Sequence, residues 1–193
     1  MPGIFENKPL LLVFPFGLLS HYLRCLVLCR HLSDYFEIKI ANNPAFRSFI
    51  TQEALATFEC EEINADAAIK TIKKFDFCWL NEHELERVFL EQSRVIRSLK
   101  PVAVMGDHSI TLKMAAESTG SYYISLLNGY MSKHYAAHRD ISRTHPAYPF
   151  LKMLPNPLQA LLTKHGERIA FHQIHKPFAK IRKKYKLISK YQY

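Results

Sequence analysis

Two strand-like stretches of this 193-residue chain, each closed by a turn signal, are apolar at every position instead of every second one. They are Pro-Leu-Leu-Leu-Val-Phe-Pro at 9–15 and Val-Ala-Val-Met at 102–105, the second closed by Gly106-Asp107. A strand with one wet face alternates. A strand that is apolar on both faces must be covered on both, and parallel sheets achieve that with helices. The two runs therefore constrain the chain to a buried parallel sheet between helical layers.

The segments between them agree. A helix is expected over 21–32, with Ser20 as its N-cap, and a period-two strand over 35–41 that Asn42-Asn43-Pro44 breaks. A short helix over 46–54, a weak strand over 57–61 and an amphipathic helix over 64–75 follow. Residues 83–99 place Leu85, Val88, Phe89, Gln92, Val95, Ile96 and Leu99 on one stripe, and Lys100-Pro101 ends that helix. A helix over 109–118 capped by Gly120 and a strand over 122–127 come next. Residues 128–156 read as irregular, and 157–187 as helical with a break at Lys176-Pro177. Alternating strands and helices with short connections mean an α/β domain over 1–150, with a helical arm over 151–193.

Composition narrows the function. With 48% apolar and 22% charged residues the chain is not a disordered one. Its six glycines form neither Gly-x-Gly-x-x-Gly nor Gly-x-x-x-x-Gly-Lys, so the two commonest phosphate cradles are missing. No apolar stretch approaches the ~18 residues of a spanning helix. The N-terminus carries an acid and no small-residue cleavage site before its apolar run, so the chain reads as mature from residue 1. Cys25, Cys29, Cys60 and Cys78 contain no Cys-x-x-Cys pair and read as reduced thiols of a cytoplasmic protein. His134/His138 and His172/His175 have helical ligand spacing but lack the glutamate of His-Glu-x-x-His, so no metal is expected.

The net charge of +9 is unevenly placed. Residues 1–150 carry 16 basic and 16 acidic side chains, while 151–193 carry ten basic ones against Glu167 alone. A basic arm suits nucleic acid, an anionic membrane surface or an acidic protein, and equally a solvated helix face or a segment whose acidic packing partner lies outside the chain. In a helix over 179–186, Ile181 and Tyr185 share a stripe that Phe178 extends, with Lys180, Arg182, Lys183, Lys184 and Lys186 mostly off it. That pattern predicts an exposed docking face for a separate domain with an apolar centre and acidic rim, not a specific nucleic-acid site.

In an open parallel sheet, ligands sit beyond the C-terminal strand ends where the strand order reverses. With order 3-2-1-4-5, the loop after the first strand ends at His21 and the loop after the fourth begins at Asp107. The two then face one crevice. At a helix N-terminus the dipole disfavours imidazolium, leaving a neutral ring ready to accept a proton. Asp107 would take the other ring N–H and stabilise the imidazolium once formed. The residues alone leave open the plainer reading, in which His21 starts one helix and Asp107 caps the next. His108, beside Asp107, is a rival titratable group that reads as a helix N-terminal residue.

The run Phe14-Pro15-Phe16-Gly17-Leu18-Leu19-Ser20-His21-Tyr22-Leu23-Arg24-Cys25-Leu26 resembles the first strand, loop and helix of GT-B glycosyltransferases of the UDP-glycosyltransferase and macrolide-glycosyltransferase branch. The run from Leu99 to Asp107, then Ala115-Ala116-Glu117-Ser118-Thr119-Gly120 and Tyr123-Ile124-Ser125-Leu126, resembles that branch's "Pro-Asp-apolar strand-Asp … Ala-Ala-Glu-x-x-Gly-x-Pro-apolar strand". Phe178 to Leu187 is similar to the helix before its interdomain linker. Ser20 stands where the family has Gly, and Ser121-Tyr122 where it has Ile-Pro. The resemblance covers residues 9 to 187 and implies a Rossmann-like parallel sheet flanked by helices, one half of a GT-B fold, with a C-terminal helical arm. It implies that His21 is the general base of an inverting sugar transfer and Asp107 its partner. Tyr130, Met131 and Tyr135, in the aromatic-rich irregular segment, would contact a hydroxylated small-molecule or lipid acceptor. The nucleotide-sugar donor would bind a second domain not in this sequence, so no cofactor is expected here and the chain alone should be inactive. The alternative is a non-catalytic binding or regulatory module with a basic docking arm.

Overall fold

A computed structural model describes residues 8–74, 76–129, 143 and 145–187. Five parallel strands form one sheet: β1 (Leu10–Pro15), β2 (Glu37–Ala41), β3 (Ala56–Phe58), β4 (Ala103–Asp107) and β5 (Tyr122–Leu126). Their order is β3-β2-β1-β4-β5, the Rossmann-like arrangement expected from the sequence, with β1 and β4 side by side at the reversal. The helices are α1 (Leu19–Leu32), α2 (Arg47–Gln52, after a 3-10 turn at Pro44–Phe46), α3 (Ala65–Ile72), α4 (Glu82–Leu99), α5 (Leu112–Thr119), α6 (Tyr148–Leu151) and α7 (Asn156–Lys184).

The continuous apolar run of β1 has a direct cause. Leu11 and Val13 point into one core with Met105, Tyr22, Cys25, Leu26, Cys29 and Ile50. Leu12 and Phe14 point into the other with Val104, Leu85, Phe89, Ile96, Leu112 and Ala115. Successive residues face opposite layers, and both layers are dry. Asn64 and Asn81 cap α3 and α4 by accepting from Ala67 N and Glu84 N, and Gly120, at φ 73°, ends α5 in the left-handed region.

Four local expectations change. Helix α1 begins at Leu19, two residues early, because the Leu18 carbonyl already accepts from His21 N and Tyr22 N. Ser20 therefore lies inside the first turn and caps nothing. Strand β4 continues through Gly106 and Asp107, which pair with Phe14 and Pro15 of β1 and with Ser125 and Leu126 of β5. A Cβ at Gly106 would come within 2.8 Å of Cδ2 of the buried Leu112, which would have to shift. Helix α7 runs unbroken through Pro177. The helical donor that Pro177 removes belongs to the carbonyl of Gln173, an exposed residue with water available to it.

The fourth change concerns the arm. The stripe of Phe178, Ile181 and Tyr185 is not an open docking face. Ile181 is fully buried, and Phe178 and Tyr185 pack on the same core as α4. The Tyr185 and Phe89 rings meet edge to face at 4.9 Å. The acidic partners lie within the chain: Lys180 pairs with Glu82 at 3.0 Å, Lys184 with Glu86 at 2.6 Å and Arg182 with Glu117 at 2.5 Å. The first part of α7 is different, with Leu158, Leu161, Leu162 and Ile169 all exposed. Among the described residues, no helix is long and apolar enough to cross a membrane.

Candidate active site

The neighbouring C-terminal ends of β1 and β4 bring the site together. Pro15 and Asp107 lie level in the register, and Phe16 N donates to the Asp107 carbonyl at 2.8 Å. Three residues past Leu18, in the first turn of α1, His21 points back over the sheet end. Its Nδ1 lies 2.8 Å from Asp107 Oδ1, although the two residues are 86 positions apart. Asp107 is wholly buried and His21 nearly so. With the proton on Nδ1, the ring donates to Asp107 and leaves Nε2 as an acceptor.

A third residue joins them. Arg24 donates from Nε to Asp107 Oδ2 at 2.6 Å and from Nη2 to Asp107 Oδ1 at 2.5 Å. Its Nη1 donates to the side-chain oxygen of Asn128, just past β5. This two-pronged grip is the strong form of the arginine–carboxylate pair. Sequence reasoning passed over Arg24. The available signal was its spacing, since residues three apart on a helix share a face.

His108 stacks on His21, with ring centroids 5.2 Å apart and planes 29° from parallel, and Phe16 meets His21 edge-on at 5.8 Å. His108 has φ 59°, a left-handed conformation uncommon for a residue with a side chain. It follows the last residue of β4 and precedes α5 by several residues, so it is a turn residue and not the start of a helix. Burial lowers its pKa, and the neighbouring His21 lowers it further.

Beside this cluster lies a shallow, open cleft. Phe14, Phe16, Ile63 and Val88 give it apolar walls, and Glu62, Gln92, His108 and Thr111 place polar groups on them. His108 and Phe16 line the cleft, and His21 stands against both rings. Gln92 reaches up from α4, donating to Ser109 Oγ at 2.9 Å and accepting from Thr111 Oγ1 at 2.8 Å, which fixes the turn that carries His108. Its place on the apolar stripe of α4 is explained by this buried bonding.

Glu62 follows β3 and accepts from Asn43 Nδ2 at 2.7 Å. Burial pushes its carboxyl up to about 7, against the opposing hydrogen bond from Asn43. Gly17 makes room for it, since a Cβ there would lie 3.2 Å from Glu62 Oε1 and from Ala65 Cβ. No local pattern marks Glu62. Its place in the cleft depends on β3 lying next to β2.

Of the residues expected to act, His21 and Asp107 are in contact. Tyr130, Met131 and Tyr135 lie outside the described residues, as do His134 and His138. His175, of the other histidine pair, bonds through Nδ1 to the Phe171 carbonyl at 2.7 Å.

No protein-family model matches the chain, and neither does any curated protein. Solved structures similar to it include a UDP-glucosyltransferase from Polygonum tinctorium capable of glucosylating indoxyl, at 15% identity and TM-score 0.48 over 62% of this chain and 29% of that one. They also include the glycotransferase of kitacinnamycin, at 13% identity and TM-score 0.49 over 62% of this chain and 30% of that one. A third is the glycosyltransferase SnogD from Streptomyces nogalater, at 18% identity and TM-score 0.46 over 63% and 35%. The chain thus spans about a third of the length of these proteins.

Proposed function

We propose that the chain is the acceptor-binding part of an inverting glycosyltransferase, with His21 as general base and Asp107 as its partner. The observation that carries this reading is the 2.8 Å contact between His21 Nδ1 and Asp107 Oδ1 at the switch point of the sheet. The family motifs on which both residues fall support it, and so does the apolar cleft with polar groups beside them.

In this reading His21 Nε2 takes the proton of an acceptor hydroxyl. The acceptor oxygen attacks C1 of a nucleotide-activated sugar from the side opposite the nucleotide diphosphate, which leaves with the bonding pair. Asp107 steadies the imidazolium until its proton is released. Residues 1–150 form the acceptor unit, and Tyr130, Met131 and Tyr135 contact the hydroxylated small-molecule or lipid acceptor. The sequence carries no phosphate-cradling loop for the leaving diphosphate, so the 193-residue chain alone should not turn over.

The test is a two-domain enzyme in which this chain supplies the acceptor half. His21→Ala should lower kcat by on the order of 10²- to 10⁴-fold while the fold is kept. Full-rate transfer would remove His21 from the chemistry. His108 would then be the next candidate for the base. Absence of transfer by the wild-type two-domain enzyme would favour a non-catalytic binding module, in which Arg24 serves only to balance the charge of Asp107.

A further inference from the structure

The guanidinium of Arg24 meets the ring as well as the carboxylate, with Nη2 lying 3.1 Å from His21 Nδ1. Arginine is charged at every relevant pH and can only donate. A carboxylate that receives it through both oxygens acts only as an acceptor. At 2.8 Å from that acceptor, His21 Nδ1 must carry hydrogen, because two lone pairs would otherwise face each other. The Nη2–Nδ1 approach is therefore one of donor beside donor, with the arginine's positive charge against the ring.

This changes what Asp107 does for His21. In an isolated histidine–aspartate pair, the buried carboxylate is balanced only when the ring takes a second proton, and this makes the ring a good proton trap. Here Arg24 supplies the balance in advance. A second proton on His21 would set two cations around one carboxylate.

Among the described residues, the groups facing the ring divide as follows. Asp107, from β4, favours the doubly protonated ring. Arg24, one turn along α1, opposes it, and so would a protonated His108 stacked above. Phe16, from the loop after β1, is uncharged, as is Asn128, which anchors Arg24 from beyond β5. Cys25, the next titratable side chain on α1, is buried and stays a neutral thiol, because burial first and Asp107 second raise its pKa.

We propose that Arg24 is a positioning residue that holds His21 as a neutral ring with its proton on Nδ1. Arg24 thereby presents Nε2 as an acceptor and weakens the ring's hold on any proton it takes there. The inference deepens the reading of His21 as a base, but its test observes the ring itself and needs no sugar transfer.

The experiment is ¹⁵N NMR of the histidine rings in the 193-residue chain at pH 7, with His21 assigned by the signals lost in His21→Gln. The wild-type ring should carry one proton, on Nδ1. A ring protonated on Nε2 alone, or doubly protonated, overturns the proposal and is read without any Arg24 variant. Arg24→Gln removes the charge, and the doubly protonated share of His21 should rise about ten-fold at fixed pH. Arg24→Lys keeps a charge and should change that share far less. An unchanged or smaller doubly protonated share in folded Arg24→Gln overturns the role of the arginine. If His21→Ala transfers sugar at full rate while these ring signals behave as expected, the general-base reading fails and the assignment of Arg24 stands.

Discussion

Asp107 and the glutamates beneath α7 are all met by hydrogen-bond donors, a cation among them, from far along the chain. Asp107 is wholly buried and receives His21 and Arg24 across 86 and 83 positions. Glu82 and Glu86 receive Lys180 and Lys184, whose side chains are 68% and 58% exposed. Each set puts a cation on a carboxylate, but the surroundings differ. In the dry sheet end a charge without its partner is costly, so geometry is held tightly. On the surface, water competes for each partner, and such pairs contribute little. What anchors the end of α7 is Ile181, Phe178 and Tyr185 in the core, with the ion pairs arranged around them. The β1–β4 end holds its charge buried in fixed geometry, whereas the arm holds its charge at the surface around an apolar anchor.

The most severe way to break the comparison is Asp107→Ala. It removes three hydrogen bonds and leaves the Arg24 charge against a buried gap. It should lower the stability of the chain by about 3 kcal/mol, read from urea denaturation. A loss no larger than that of a typical surface substitution would mean that the buried cluster and the surface pairs are equivalent after all.

Glu62 sharpens the contrast as a half-buried carboxylate that accepts from the Asn43 amide, with no cation on it among the described residues. Its folded pKa, about 7, lies above the 4.5 of a freely solvated glutamate. Between those two values the folded chain binds more protons than the unfolded one, so this group's contribution to stability falls as pH rises through that window and stays lost above it. Glu62→Gln should therefore be more stable than wild type at pH 8 by on the order of 2 kcal/mol and nearly equal to it at pH 4. A difference that does not vary with pH would show that Glu62 is as well solvated as the glutamates under α7.

The smallest expected effect belongs to the arm. The double variant Lys180→Ala/Lys184→Ala should leave the denaturation midpoint unchanged at physiological salt and keep trypsin from cutting at Arg182, because the apolar anchor remains. New cleavage there, or a clear drop in the midpoint, would make the surface pairs the fastening of α7.

Much of this arrangement is legible before any fold is known. The strands, the long stripe of α4, the Gly120 stop and the facing of His21 and Asp107 all follow from local periodicity plus one topological rule. The misread details have local causes as well. Leu18 begins the hydrogen bonding of α1, although Ser20 is the better capping residue by type. Pro177 is tolerated because the carbonyl it deprives belongs to an exposed residue.

Periodicity is a property of neighbours, and for that reason residue order determined the strands and their two dry faces, while the facing of His21 and Asp107 needed the strand order as well. The partners of a charge are a property of what topology brings within a few ångströms, and no spacing along the chain records that. Only the folded chain could show that Arg24 turns toward Asp107 while Arg30, two turns later on α1, reaches Glu53. Only the fold could show that Lys180, Arg182 and Lys184 of the basic arm find acids on α4 and α5. The same holds for Glu62, whose proton affinity is set by burial after β3 aligns with β2, because desolvation depends on everything packed around a carboxyl and not on the residues beside it in sequence.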